Sequence, residues 1–195
     1  MKPLPWIVVF VVLFALVPAG GVWGAGISYE KGEPLPGLSL PVPQDPGAKK
    51  YLGLSGAGHF TPADVTAPVL LVQIFSMYCP HCQRDAGNVN AFYRLMEEDP
   101  GVRGKIRVIG IGAGNSPYEV QVFRETYGVP FPLFSDGNYE MHKKFGEVRT
   151  PFYIGLRKDD QGVPRIFFTR VGGIENPREF LDFLIIESGL EVKKP

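Results

Sequence analysis

The 195-residue chain carries 20 basic and 20 acidic side chains, with 12% aromatic and 21% charged residues; this fits one decorated domain and excludes a disordered chain. The absence of net positive charge excludes a sequence-independent nucleic-acid binder, whose affinity comes from clustered cations. Only two cysteines occur, Cys79 and Cys82, which excludes a disulfide scaffold, because its cross-links are spread along the chain.

At the N-terminus, Lys2 is followed by an unbroken apolar run from Trp6 to Val17 and then by Pro18-Ala19-Gly20-Gly21. The run is shorter than the ~20 residues a membrane-spanning helix needs. A basic start, a short apolar core and small residues form a secretory signal. Residues 1–24 therefore read as a signal peptide, with cleavage after Gly24 or Ala19, or else as an uncleaved membrane anchor. No cysteine follows the run to take a lipid. Residues 25–195 form one exported domain, in contact with the membrane only if the N-terminal segment stays uncleaved. In an oxidising compartment an idle cysteine pair closes into a disulfide.

Along this domain, Gly32 to Pro46 is rich in Pro and Gly and reads as irregular. Tyr51–Leu54 and His59-Phe60 flank Ser55-Gly56-Ala57-Gly58 as a small hairpin, and Thr61-Pro62 opens a short helical turn. Val69–Phe75 is an almost wholly apolar, β-rich run, the pattern of a central strand covered on both faces. Cys82, Ala86, Val89, Tyr93 and Met96 then recur at helical spacing until Asp99-Pro100-Gly101 stops the helix. Lys105–Ile111 is the next strand, and Ser116-Pro117-Tyr118-Glu119 is a capping box that opens a helix ending at Gly128. Met141 and Phe145 mark a shorter helix closed by Gly146. Phe152–Leu156 and Arg165–Val171 are strands joined by a turn at Asp159–Gly162, and Asn176-Pro177 opens a last helix, ended by Gly189. The order β-α-β-α-α-β-β-α implies a mixed sheet between layers of helices.

Chemistry concentrates at Cys79-Pro80-His81-Cys82, where a buried strand turns into a helix. Free N–H groups and the positive end of the helix dipole stabilise an anion there. Cysteine reacts as its thiolate, so Cys79 is the nucleophile. Cys82, one turn on, is placed to resolve a mixed disulfide. Pro80 fits a first helical position, and a protonated His81 adds positive charge beside Cys79. A four-cysteine metal site is excluded because no second Cys-x-x-C exists. A stapling role is weak, because so small a loop constrains the unfolded chain little.

Strand, Cys-x-x-C and helix together resemble a thioredoxin-fold protein, and the flanks resemble exported TlpA/ResA-type thiol-disulfide oxidoreductases of the redoxin group. The resemblance covers roughly Gly32 to Leu190. Its carriers are Phe60–Val65, Val69–Cys82, Tyr127–Pro132 and Arg149-Thr150-Pro151-Phe152-Tyr153-Ile154. It implies an α/β fold, a three-layer sandwich with a central mixed sheet flanked by helices. It also implies a cis-proline at Pro151, with Thr150 before it contacting the partner together with Tyr78, which stands where the family often has Trp. Asp85 stands where the family usually has a thiol-tuning Glu, and a proton-handling role competes there with a solvated helix carboxylate. Gly87 replaces the family's helix proline. The implied activity is exchange of disulfides with partner proteins, without a cofactor beyond the Cys79–Cys82 disulfide and without metal. The implied setting is the periplasm, with re-reduction by a membrane thiol carrier and apocytochrome c among the substrates. The Pro-His dipeptide resembles DsbA-type oxidants instead, so an oxidant of protein thiols is the rival within the class.

Three other signals carry less. Gly110-Ile111-Gly112-Ala113-Gly114 follows a strand, but Asn115 stands where a dinucleotide fingerprint needs its third glycine. Ser76 sits three residues before Cys79 as in peroxidatic sites, but Val72 replaces their upstream proline. A non-catalytic metal carrier would need His59 or His142 brought to the two sulfurs.

Overall fold

The computed structural model describes residues 29–35 and 37–192. The expected signal peptide over residues 1–24, with its cleavage positions, lies outside them. Among the described residues no helix is long and apolar enough to cross a membrane.

The central element is β3 (Val69–Phe75), every residue of which is buried. It pairs in parallel with β4 (Ile106–Ala113) and antiparallel with β6 (Phe152–Lys158). Outside these lie β5 (Leu133–Asp136), parallel to β4, and β7 (Pro164–Val171), antiparallel to β6. The mixed sheet thus runs β5-β4-β3-β6-β7. Odd residues of β3 face one layer, where Val69, Leu71 and Phe75 pack with α2 (Pro80–Glu98), α3 (Pro117–Tyr127) and α5 (Pro177–Ser188). Even residues Leu70, Val72 and Ile74 face the other, with Leu52 of α1 (Pro46–Leu52), Phe60 of β2 (His59–Phe60) and Phe145 at the end of α4 (Glu140–Lys144). This is the three-layer α/β sandwich expected from the order of elements.

The helix starts follow cap chemistry. Asp45, Cys79, Ser116 and Asn176 each stand at an N-cap with proline in the first turn. At Ser116 the capping box is complete, with Glu119 returning a bond to the Ser116 N–H.

Four expectations are corrected. The hairpin around Ser55–Gly58 does not form. Tyr51 and Leu52 end α1, which the Asp45 carboxylate caps by accepting from the Ala48 N–H at 2.6 Å, and His59-Phe60 pairs with β1 (Leu40–Pro41). The segment read as irregular therefore holds a strand and the start of a helix, with Leu38, Leu40 and Val42 buried in alternation. Thr61-Pro62 opens a turn, not a helix. Thr61 donates from both its N–H and its hydroxyl to Asp64, and Pro68 follows too soon for a helix to propagate. Finally, β5 intervenes between α3 and α4. Pro130 and Pro132 precede its start, as an edge strand allows, and the Pro132 carbonyl still accepts the Gly110 N–H.

Candidate active site

The C-terminal end of β3 delivers the chain into Ser76-Met77-Tyr78 and then into α2, so the first sulfur stands where a helix begins. The entry loop is held from two sides. Asn115 Oδ1, fully buried, accepts from the Met77 N–H at 2.8 Å, and Gln83 Nε2 donates to the Met77 carbonyl at 2.7 Å. Asn115 is thus a loop-holding residue, and Gly110 and Gly112 belong inside β4, where Phe75, Leu133 and Val120 close over them. No nucleotide loop is formed by this run.

Cys79 is the N-cap of α2, Pro80 opens its first turn, and both cysteines are thiols. The neutral Cys79 side chain makes no capping bond; its Sγ lies 3.3 Å from the Thr150 carbonyl, which accepts from the thiol. Partial burial raises the Cys79 pKa. Hydrogen bonds from the Thr150 side chain, from the backbone N–H and thiol of Cys82 and from the His81 N–H outweigh that and leave it below the ordinary thiol value. The His81 and Cys82 N–H groups are the second and third of the helix, the donors an N-cap anion meets. The His81 imidazole is exposed, and its Nδ1 accepts from the Arg84 guanidinium at 2.9 Å. The residue's identified effect on Cys79 comes from its backbone.

Cys82 is fully buried, and burial pushes its pKa up to about 12 despite a backbone hydrogen bond from Ser76. The Thr150–Pro151 peptide is cis. Tyr78 is 65% exposed beside Cys79, its hydroxyl donating to Glu119 on the first turn of α3.

Asp85 is not solvated: it is 5% exposed in the layer between α2 and the sheet. Its Oδ2 accepts from the Tyr153 hydroxyl at 2.5 Å and its Oδ1 from the Ile174 N–H at 2.6 Å. Burial raises its pKa against those two bonds and the field of Arg170. Tyr153 is itself fully buried and accepts from Gln73 Nε2 at 3.0 Å. Gln73 and Tyr153 are cross-strand partners of β3 and β6. Sequence reasoning missed both. The available signal was Gln73, the one polar side chain in a strand buried throughout.

His59 and His142 are not brought to the sulfurs. Among the described residues no group of three or more His, Cys, Asp or Glu side chains is placed to hold a metal ion. His142 Nε2 lies 2.9 Å from the Val148 carbonyl instead.

Comparison with known proteins agrees with this architecture. A thiol-disulfide isomerase from Corynebacterium glutamicum superimposes with a TM-score of 0.55 at 23% identity, over 81% of this chain and 98% of that one. A thioredoxin-family thiol:disulfide interchange protein from Chlorobium tepidum gives 0.55 at 17%, over 82% and 100%. The solution structure of a candidate protein disulfide isomerase from Bacteroides thetaiotaomicron gives 0.59 at 18%, over 83% and 91%. Among curated proteins no sequence matches. The fold is thioredoxin-like. Residues 33–172 match the AhpC/TSA family, and the chain belongs to that family.

Proposed function

From membership in the AhpC/TSA family and the geometry of the two thiols, we propose that the chain is an exported thiol-disulfide oxidoreductase that reduces disulfides of partner proteins. The observation that carries the reading is the contrast within one helical turn. Cys79 sits half-buried at a helix N-cap with its thiolate favoured, and Cys82 is buried with its thiol favoured. The first is equipped to attack, and the second is kept in reserve.

The Cys79 thiolate attacks one sulfur of a partner disulfide, forming a mixed disulfide and releasing a partner thiolate. Cys82 then gives its proton to Asp85 and attacks the Cys79 sulfur. The second partner sulfur leaves with the electron pair, and Cys79 and Cys82 end joined. Two electrons have passed to the partner, and a membrane thiol carrier returns them from outside the chain. Pro80 fixes the helix start, and Thr150, Pro151 and Tyr78 form the rim against which the partner's backbone lies. The leader-like N-terminus supports a periplasmic setting, and the TlpA/ResA resemblance supports apocytochrome c cysteines among the substrates. No cofactor or metal enters these steps.

Cys79→Ser is expected to abolish insulin disulfide reduction; a wild-type rate in that variant overturns the proposal. The oxidant reading has one observation in its favour, the donors that stabilise the Cys79 thiolate and with it the reduced form. Redox titration of the pair separates the two. A reductant titrates nearer the value of about −270 mV known for thioredoxin, and an oxidant nearer about −120 mV, as DsbA does.

A further inference from the structure

The resolving step needs a proton acceptor inside a water-poor layer, and such a layer works against keeping one ionised. A carboxylate nine-tenths buried reverts to its neutral acid unless donors replace its lost water. The neutral acid cannot take the Cys82 proton. Asp85 has two donors, one on each oxygen: the Tyr153 hydroxyl from β6 and the Ile174 N–H from the loop before α5. The other titratable or charged groups facing it are Arg170 from β7 and, through Tyr153, the Cys82 thiol one turn back on α2. Gln73 from β3 completes the set without charge.

The cradle is built around this carboxylate. A Cβ added at Gly173 would meet Asp85 Oδ1 at 2.5 Å, so the backbone approaches as closely as it does only because that residue is glycine. The Tyr153 hydroxyl has a fixed job within it. It accepts from Gln73 and so has its own proton directed to Asp85, and the two residues sit directly opposite each other across β3 and β6. Acceptance from Gln73 also polarises the phenol and makes it a stronger donor.

We propose that Tyr153, braced by Gln73, is the positioning residue that keeps Asp85 an ionised proton acceptor for Cys82 in the resolving step. This rests on the oxidoreductase reading above. In the step itself the Cys82 S–H proton passes to the Asp85 carboxylate, the sulfur forms a bond to Cys79 Sγ, and the thiol attached to Cys79 leaves with the electron pair. Tyr153 exchanges no electrons.

The test follows the two halves of the reaction with an aromatic disulfide probe, 5,5′-dithiobis(2-nitrobenzoate), on the reduced full chain. The first thionitrobenzoate released reports attack by Cys79, and the second reports resolution by Cys82. In wild type the second release accelerates with pH as Asp85 ionises. Tyr153→Phe keeps the ring and removes the donor. It is expected to shift that limb upward by about one pH unit, a loss of about tenfold at a pH below it, with the first release unchanged. Gln73→Met shifts it in the same direction by less, and serves if Tyr153→Phe does not fold. In an Asp85→Asn background the limb disappears and Tyr153→Phe has no further effect. Coincident limbs in wild type and both variants overturn the proposal, and so does a Tyr153→Phe shift that persists without Asp85. Release of a single equivalent by wild type defeats the oxidoreductase reading instead.

Discussion

The two faces of one sheet are packed to different ends. On the α1 and α4 side, β3 and β6 present Leu70, Val72, Ile74, Phe152, Ile154 and Leu156, all apolar and all buried. On the α2 and α5 side the same two strands present Gln73 and Tyr153, and α2 answers with Asp85 and Cys82. A buried polar chain stabilises less than hydrophobic packing of the same volume, and each unmade bond in it costs about 1–3 kcal/mol. Both faces supply stability, the second through Val69, Leu71 and Phe75, but only the second gives some of it up to chemistry.

The largest effect expected from this division lies between the two sulfurs. With Cys82 raised to about 12 and Cys79 below the ordinary thiol value, iodoacetamide at pH 8 should alkylate Cys79 faster by on the order of 1,000-fold. Mass spectrometry of the reduced protein checks it. Comparable labelling of both sulfurs in the folded state would break the contrast. Next in size is Ile74→Ala, which empties a fully buried site on the apolar face. It should cost about 2–5 kcal/mol in denaturant unfolding and leave the pH profile of thiol exchange where it was. A shifted profile would show that the faces are coupled, and a loss below about 1 kcal/mol would show that the apolar face does not supply that stability.

What the sequence made legible follows the same line. Helices announced by a cap and a proline were readable at Ser116-Pro117 and Asn176-Pro177 because cap chemistry is local. Asp45-Pro46 carries the same signal and opens α1, but lies in a Pro- and Gly-rich stretch that masks it. Thr61-Pro62 carries it too and yields only a turn, because Pro68 leaves too little chain. Cys79 and the cis Thr150–Pro151 step are joined by a hydrogen bond across 71 positions; the cysteine pair was found from spacing and the cis step only through family likeness. The cradle of Asp85 was hidden for a physical reason. Its donors come from β6 and from the loop before α5, 68 and 89 positions away, so only strand pairing brings them together.

The smallest effect is the most direct test of what the polar face gives up. Asp85 has its pKa raised by burial, so the folded state binds its proton more tightly than the unfolded chain does. The stability tied to that proton is fully present below the ordinary carboxyl value of about 3.9 and is lost as pH rises through the raised value. Above that raised value the fold holds an ionised carboxylate at a cost. Asp85→Asn removes the charge, keeps an acceptor for the Ile174 N–H and offers Tyr153 a donor in place of an acceptor. It should raise Tm at pH 7 by roughly 2–4 °C, the shift expected for ~1 kcal/mol in a domain of this size. The gain should shrink toward zero as pH falls below about 4, while the resolving step slows. An Asn variant less stable than wild type at pH 7 would mean that the Tyr153 and Ile174 bonds more than offset the burial, and the polar face would then give up no stability to chemistry.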